Sequence, residues 1–239
     1  MFRHIGKNRT YSHNLKLASM LSFAAGIVNV TGVMALKILT TNVTGHFAYF
    51  SEEVVLQSYS AAIVFLLYIL SFLMGAFCSS LFIEVIIRKN ASVSYVIPMF
   101  MEMSILFFIS VLGFEVFGTQ LIAYLLLFAM GLQNALVTKV SRSVVRTTHL
   151  TGIFTDLGIE LSQLIFCRRD MFSYKEIKRS INLKLAIIFC FFSGCLLGGL
   201  VYSRLVLNTL LIAVFVLLVA LYYDYIRLRY YYLKRKFTH

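Results

Sequence analysis

The chain has 239 residues, 60% of them hydrophobic and 13% charged, with a net charge of +12 and a mean hydropathy of +0.85. A soluble domain carries about 25% charged residues and has no use for so much apolar surface, so composition excludes an ordinary soluble fold. The basic residues form short clusters between apolar runs and never a face interleaved with base-stacking aromatics, which argues against nucleic acid as the partner.

Residues 1–14 form a short, basic N-terminal segment. The first apolar run, 15–38, is too long for the core of a cleavable signal peptide and reads as a span. A shorter stretch, Thr44 to Gln57, has helical character but only about 14 residues, some 21 Å of helix, which falls short of the roughly 30 Å bilayer core. Apolar runs at 59–87 and 94–117 are long enough to cross, as are 119–138, 182–203 and 205–226. Between 119–138 and 182–203 lies a second short helix, Thr151 to Phe166, again too short to span. Residues 227–239 mix Arg and Lys with Tyr230, Tyr231 and Tyr232, as an interfacial anchor on an anionic leaflet does. The cysteines, Cys78, Cys167, Cys190 and Cys195, make no C-x-x-C pair and read as small buried hydrophobes.

Six crossings with both short helices dipping in and returning put all but Lys37 and Arg204 of the 22 basic residues on one side. The positive-inside rule makes that side, and both termini, cytoplasmic. If the short segments crossed instead, Arg88, Lys89, Lys139, Arg142 and Arg146 would move outside.

The chain also resembles itself. Ala25-Gly26-Ile27-Val28-Asn29, Thr41-Asn42-Val43-Thr44-Gly45-His46-Phe47 and Glu53 match Met130-Gly131-Leu132-Gln133-Asn134, Thr148-His149-Leu150-Thr151-Gly152-Ile153-Phe154 and Glu160. Each half, 15–117 and 118–226, holds one span, one short helix and two more spans. Three crossings is an odd number, so the second half enters the membrane upside down. The expected fold is an all-α polytopic membrane protein of six transmembrane helices and two re-entrant half-helices, in a 3+3 inverted-topology repeat.

The two Thr-Gly motifs, with Gly-Leu-Gln-Asn-Ala at 131–135, resemble the YoaK-like family of bacterial integral membrane proteins of unknown function, over roughly 15–226. That resemblance implies a multi-pass protein of the bacterial cytoplasmic membrane and brings no established activity. Members tend to show Thr-Gly-Asn at both short segments and an Asp in the first span. Here those positions hold His46, Ile153 and Asn29.

Re-entrant helices leave early N–H groups without intrahelical partners, and each N-terminus carries about half a positive charge. Thr44 and Thr151 suit N-caps, and the following glycines allow close approach. Two such ends opposed near the midplane would bind a small polar or anionic solute. The candidate binding residues are Thr40, Thr41, Asn42, Thr44, Gly45 and His46 on one side. Thr147, Thr148, His149, Thr151 and Gly152 form the other, with Asn29, Gln133 and Asn134 beside them. Asn42-Val43-Thr44 also fits a glycosylation sequon; in a bacterial chain it reads as helix-capping chemistry. Glu102, mid-span, is a functional candidate because an ionisable group costs several kcal/mol there. Glu53, Asp156 and Glu160 on the short helices are candidates for carrying protons, alone or with the histidines. Gly194 and Gly198, beside Ser193 and Gly199, allow close helix packing, either within the subunit or in a homodimer.

Three functions are compatible: a secondary transporter, an anion-selective channel on the same frame, or an intramembrane enzyme using His46, His149 and Asp156. No nucleotide-binding G-x-x-x-x-G-K-[ST], no H-E-x-x-H and no G-x-S-x-G occurs. The sequence therefore offers no catalytic residues, metal ligands or cofactor, and the transporter is the preferred expectation, with membrane lipids and a small solute as partners.

Overall fold

The computed structural model describes residues 10–90, 94–141, 145–166 and 171–236, and these are helical almost throughout, with no strand among them. Most of the N-terminal segment, together with Arg142, Cys167, Arg168 and Arg169, lies outside the described residues. The helices are α1 (Tyr11–Leu36), α2 (Val43–Val55), α3 (Tyr59–Asn90), α4 (Val96–Ser141), α5 (Leu150–Phe166), α6 (Met171–Leu205) and α7 (Leu210–Lys236). Helix α7 continues through residues 227–236 of the basic C-terminal segment.

Four helical stretches are long and apolar enough to cross a membrane: Tyr11–Leu36, Tyr59–Arg88, Val96–Ser141 and Tyr174–Tyr223. The last two have 46 and 50 residues, about twice what one crossing needs. Each is interrupted near its middle. In α4, Gly113 (φ 62°) and Gly118 (φ 66°) leave the helical region, at a left-handed φ that glycine adopts without a Cβ clash. Between α6 and α7 the chain tightens into a 3₁₀ turn, Val206–Thr209. The sequence boundary at 117/119 falls on Gly118, that at 203/205 lies just before the 3₁₀ turn, and Gly113 breaks the helix inside the run read as 94–117.

Two helix crossings hold the core: α1 on α6 and α3 on α4. Both are built on glycines. A Cβ on Gly26 would stand 2.2 Å from the Phe191 carbonyl oxygen and 3.0 Å from the Cys195 amide nitrogen, and one on Gly194 would stand 2.2 Å from the Phe23 oxygen. Correspondingly, a Cβ on Gly131 would stand 2.1 Å from the Phe72 oxygen and 3.0 Å from the Ala76 nitrogen, and one on Gly75 would stand 2.0 Å from the Phe128 oxygen. In each case the oxygen belongs to the residue three before the facing glycine. The two crossings therefore share one register, with Cys195 in the place of Ala76; its Sγ donates to the Gly26 carbonyl at 3.3 Å. Lipid gives no hydrophobic gain for bringing helices together, so this backbone-to-backbone fit supplies the association. Gly198 packs against Ile27 and Val30 of α1 as well, so the small residues of α6 serve packing within the subunit.

The outward faces repeat in the same way. Leu70, Leu73, Phe77 and Leu81 of α3 are exposed, and so are Phe189, Phe192, Leu196 and Leu200 of α6. Counted from Gly75 and Gly194, the two sets occupy identical positions. Such apolar stripes are suited to lipid contact. At the end of the bundle where α1 begins, Lys16 Nζ donates to the Tyr223 hydroxyl at 2.7 Å. Lys139 pairs with Glu84 where α3 and α4 end.

Candidate functional site

Each short helix is preceded by a polar turn tied back to a long helix by the same bond. The Thr41 hydroxyl donates to Asn29 Oδ1 at 3.0 Å, with Thr40 at 3.5 Å from the same oxygen. The Thr148 hydroxyl donates to Asn134 Oδ1 at 2.6 Å. These are the two asparagines and two threonines that the internal match aligns. Losing the hydroxyl in Thr148→Val is expected to cost about 1 kcal/mol. A double-mutant cycle with Asn134→Ala would check it, and a coupling energy near zero would show that the clamp contributes nothing.

The caps differ from expectation. The N-cap of α2 is Asn42, whose Oδ1 accepts the Gly45 N–H at 3.1 Å; Thr44 sits inside the first turn and is exposed. Helix α5 starts at Leu150, so Thr151 also lies within the first turn. Gly45 and Gly152 make room for the side chain three residues before them. A Cβ on Gly45 would come within 3.1 Å of the Asn42 amide, and one on Gly152 within 2.5 Å of the His149 ring. His149 thus occupies the place in its half that Asn42 occupies in the other. An Asx residue three positions ahead of a glycine is a capping spacing, and it could have been read from the sequence.

His46 is buried. Its Nε2 donates to the Leu39 carbonyl at 2.9 Å, and its ring packs on Phe65 and Tyr68. That contact locks α2 against α3. The matching residue, Ile153, is also buried. Gln133 Nε2 donates to the Leu21 carbonyl at 2.7 Å and so joins α4 to α1. Helix α2 packs on α3 and α5 packs on α6, but no substantial packing joins α2 to α5 among the described residues. The structure therefore gathers two separate clusters.

The carboxylates have distinct settings. Glu160 accepts from Ser180 at 2.7 Å and from Lys184 at 2.5 Å, while Glu53, its counterpart, stays half-exposed. Glu102 is fully buried, and neither of its oxygens has a partner among the described residues. Asp156 lines a cavity of about 690 Å³ between the start of α1, the first turns of α5 and the first half of α6. Arg146, Glu176, Arg179 and Lys184 line it too, and Ile153, Leu183 and Ile187 give it apolar wall. Sequence reasoning missed this cavity because it counted those Arg and Lys residues only as topology signals. The packing of α5 on α6 brings them together, and the start of α1 closes the cavity with Tyr11 and Asn14. Among the described residues no group of His, Cys, Asp and Glu is placed to hold a metal ion.

The family described as protein of unknown function (DUF1275) matches residues 17–223. No curated protein matches the chain. No solved structure matches it either.

Proposed function

The chain belongs to the DUF1275 family, whose description names no activity, and from that premise we propose that it is a secondary transporter of a small polar or anionic solute. Its frame is six membrane crossings and two re-entrant half-helices in a 3+3 inverted-topology repeat. Helix α4 contributes two crossings, divided at Gly113 and Gly118, and α6 and α7 contribute one each. The observation that carries the reading is the duplicated clamp, Asn29 with Thr41 and Asn134 with Thr148. Polar turns fixed identically in two halves of opposite orientation are what an alternating-access site requires. Support also comes from the shared register of the two glycine crossings and from the apolar stripes in matching positions on α3 and α6.

With the termini in the cytoplasm of a bacterial cell, the cavity beside α5 opens inward, and the solute leaves through it. The site residues lie in two half-sites. Asn29, Thr41, Asn42, Thr44, Gly45 and His46 form the outer one, and Gln133, Asn134, Thr148, His149, Thr151 and Gly152 the inner one. Glu53, Glu102, Asp156 and Glu160 are the candidates for ion coupling. No nucleotide-binding sequence is present, so an ion or substrate gradient drives the cycle.

Purified protein in proteoliposomes tests this with a panel of anions and neutral polar solutes under an imposed pH or sodium gradient. Saturable, protein-dependent uptake of at least one solute is expected, reduced at least tenfold in the Asn29→Leu, Asn134→Leu double variant. Absence of uptake across the panel under every gradient would sink the proposal. Single-channel conductance would move the assignment to a pore.

A further inference from the structure

The chemistry of the cavity between α1, α5 and α6 narrows the class of ligand; the inference rests on the transport reading for the cavity's being a solute vestibule. Five charged side chains line it: Arg146, Arg179, Lys184, Asp156 and Glu176. Lys184 is already satisfied, held at 2.5 Å by Glu160. The other four, two guanidiniums and two carboxylates, make no ion pair among the described residues. Arg179 is steadied by the Tyr11 ring, with its guanidinium carbon 6.0 Å from the ring centroid, a geometry that orients the fork while leaving its N–H donors free.

Charges of both signs, equal in number and unpaired, stand around one volume. A purely anionic ligand entering there meets Arg146 and Arg179 but is opposed by Asp156 and Glu176. A purely cationic ligand meets the reverse. All four side chains are exposed, so solvent screens part of this repulsion. A ligand of one sign still draws on only half of the charges and is opposed by the other half. A ligand with an anionic and a cationic group a few ångströms apart engages both sets. An Arg fork suits a carboxylate or phosphate bidentately, and a carboxylate accepts from an ammonium. We infer that this cavity binds a zwitterion, with its anionic group on Arg146 and Arg179 and its ammonium on Asp156 and Glu176. Asp156 is one helical turn beyond Gly152, so the ammonium end lies toward the inner half-site. Ile153, Leu183 and Ile187 offer an apolar wall for the rest of the ligand.

Two sources carry that chemistry: a free amino acid, or the headgroup of phosphatidylethanolamine. The full chain is reconstituted in nanodiscs of phosphatidylglycerol. Binding is then read by thermal shift and calorimetry for the twenty standard amino acids, each beside its deaminated acid and its decarboxylated amine. At least one amino acid is expected to bind tenfold or more tightly than both counterparts. Asp156→Asn should erase the preference over the acid, and Arg179→Gln should weaken the amino acid and the acid together. A parallel arm replaces part of the lipid with phosphatidylethanolamine or its N-acetyl derivative. Stabilisation by the first alone, lost in Asp156→Asn, assigns the headgroup as the zwitterion. The inference is overturned if the deaminated acids bind as tightly as the amino acids, or if neither arm shows zwitterion binding. Uptake of a simple anion without zwitterion binding would sink this inference and leave the transporter standing. Zwitterion binding without any flux would do the opposite.

Discussion

Gly131→Ala is expected to destabilise the bundle by about 3 kcal/mol or more, and Gly26→Ala to match it. The added methyl on Gly131 would stand 2.1 Å from the Phe72 carbonyl oxygen, and that on Gly26 would stand 2.2 Å from the Phe191 oxygen. Neither obstacle is the tip of a flexible side chain. Both are helix backbone, so the helices must separate along the crossing, and the close packing that holds them in lipid is lost with the separation. Because each facing helix also presents a glycine, Gly75 to α4 and Gly194 to α1, the two interfaces have little slack. Gly158→Ala on α5 is the control, since a Cβ there meets nothing within 4 Å. Helix propensity predicts a gain of up to about 1 kcal/mol for it. Unfolding midpoints in detergent mixed with increasing SDS would compare the three. Wild-type midpoints for Gly26→Ala and Gly131→Ala would show that the crossings are looser than described. A large loss at only one of them would break the correspondence between the halves.

Local signals placed most of the fold. Apolar run length marks the long helices, and hydropathy dips at Gly118 and at Arg204, just ahead of the turn at Val206–Thr209, but not at the Gly113 break. Both short helices begin one residue before the Thr expected to open them, at Val43 and Leu150. The sequence match covers only Ala25 to Glu53 against Met130 to Glu160. The further correspondence of Gly75 with Gly194 was missed for a plain reason. Helix α5 is longer than α2, 17 residues against 13, and Gly194 lies further into α6 (from Met171) than Gly75 lies into α3 (from Tyr59), so a fixed offset loses register after the short helices. What those glycines face depends on pairings between residues far apart in the chain, which periodicity does not contain. The same holds for the cavity. Arg146, Arg179 and Asp156 look like separate charges along the chain until α1, α5 and α6 are assembled. Sequence reasoning could place the Asn29–Thr41 clamp in a polar cluster because all its members fall within one short stretch.

Glu102→Gln is expected to fold as well as the native chain, to lose gradient-driven accumulation by a hundredfold or more, and to keep solute exchange. Glu102 is fully enclosed in the first half of α4, beside the buried Met99, Met103 and Leu106, and neither carboxyl oxygen has a partner among the described residues. A charge held there without a counter-charge costs several kcal/mol. Such a group contributes little to holding the bundle together, since it makes no bond that substitution would break. Glutamine keeps the volume and the burial of polar atoms but cannot carry a charge at any pH. Glu102→Leu removes the unpaired oxygens as well and is expected to raise stability by about 1 kcal/mol. If the transporter couples solute to protons through this carboxyl, both variants fail wherever net proton movement is required. Counterflow, in which labelled solute exchanges for unlabelled solute with no gradient, involves no net proton transfer and should continue. The split between the two assays carries the test, because a merely structural role would reduce both in parallel with stability. Accumulation by Glu102→Gln at the native rate would remove Glu102 from the coupling path and leave that role to Asp156, which lines the cavity.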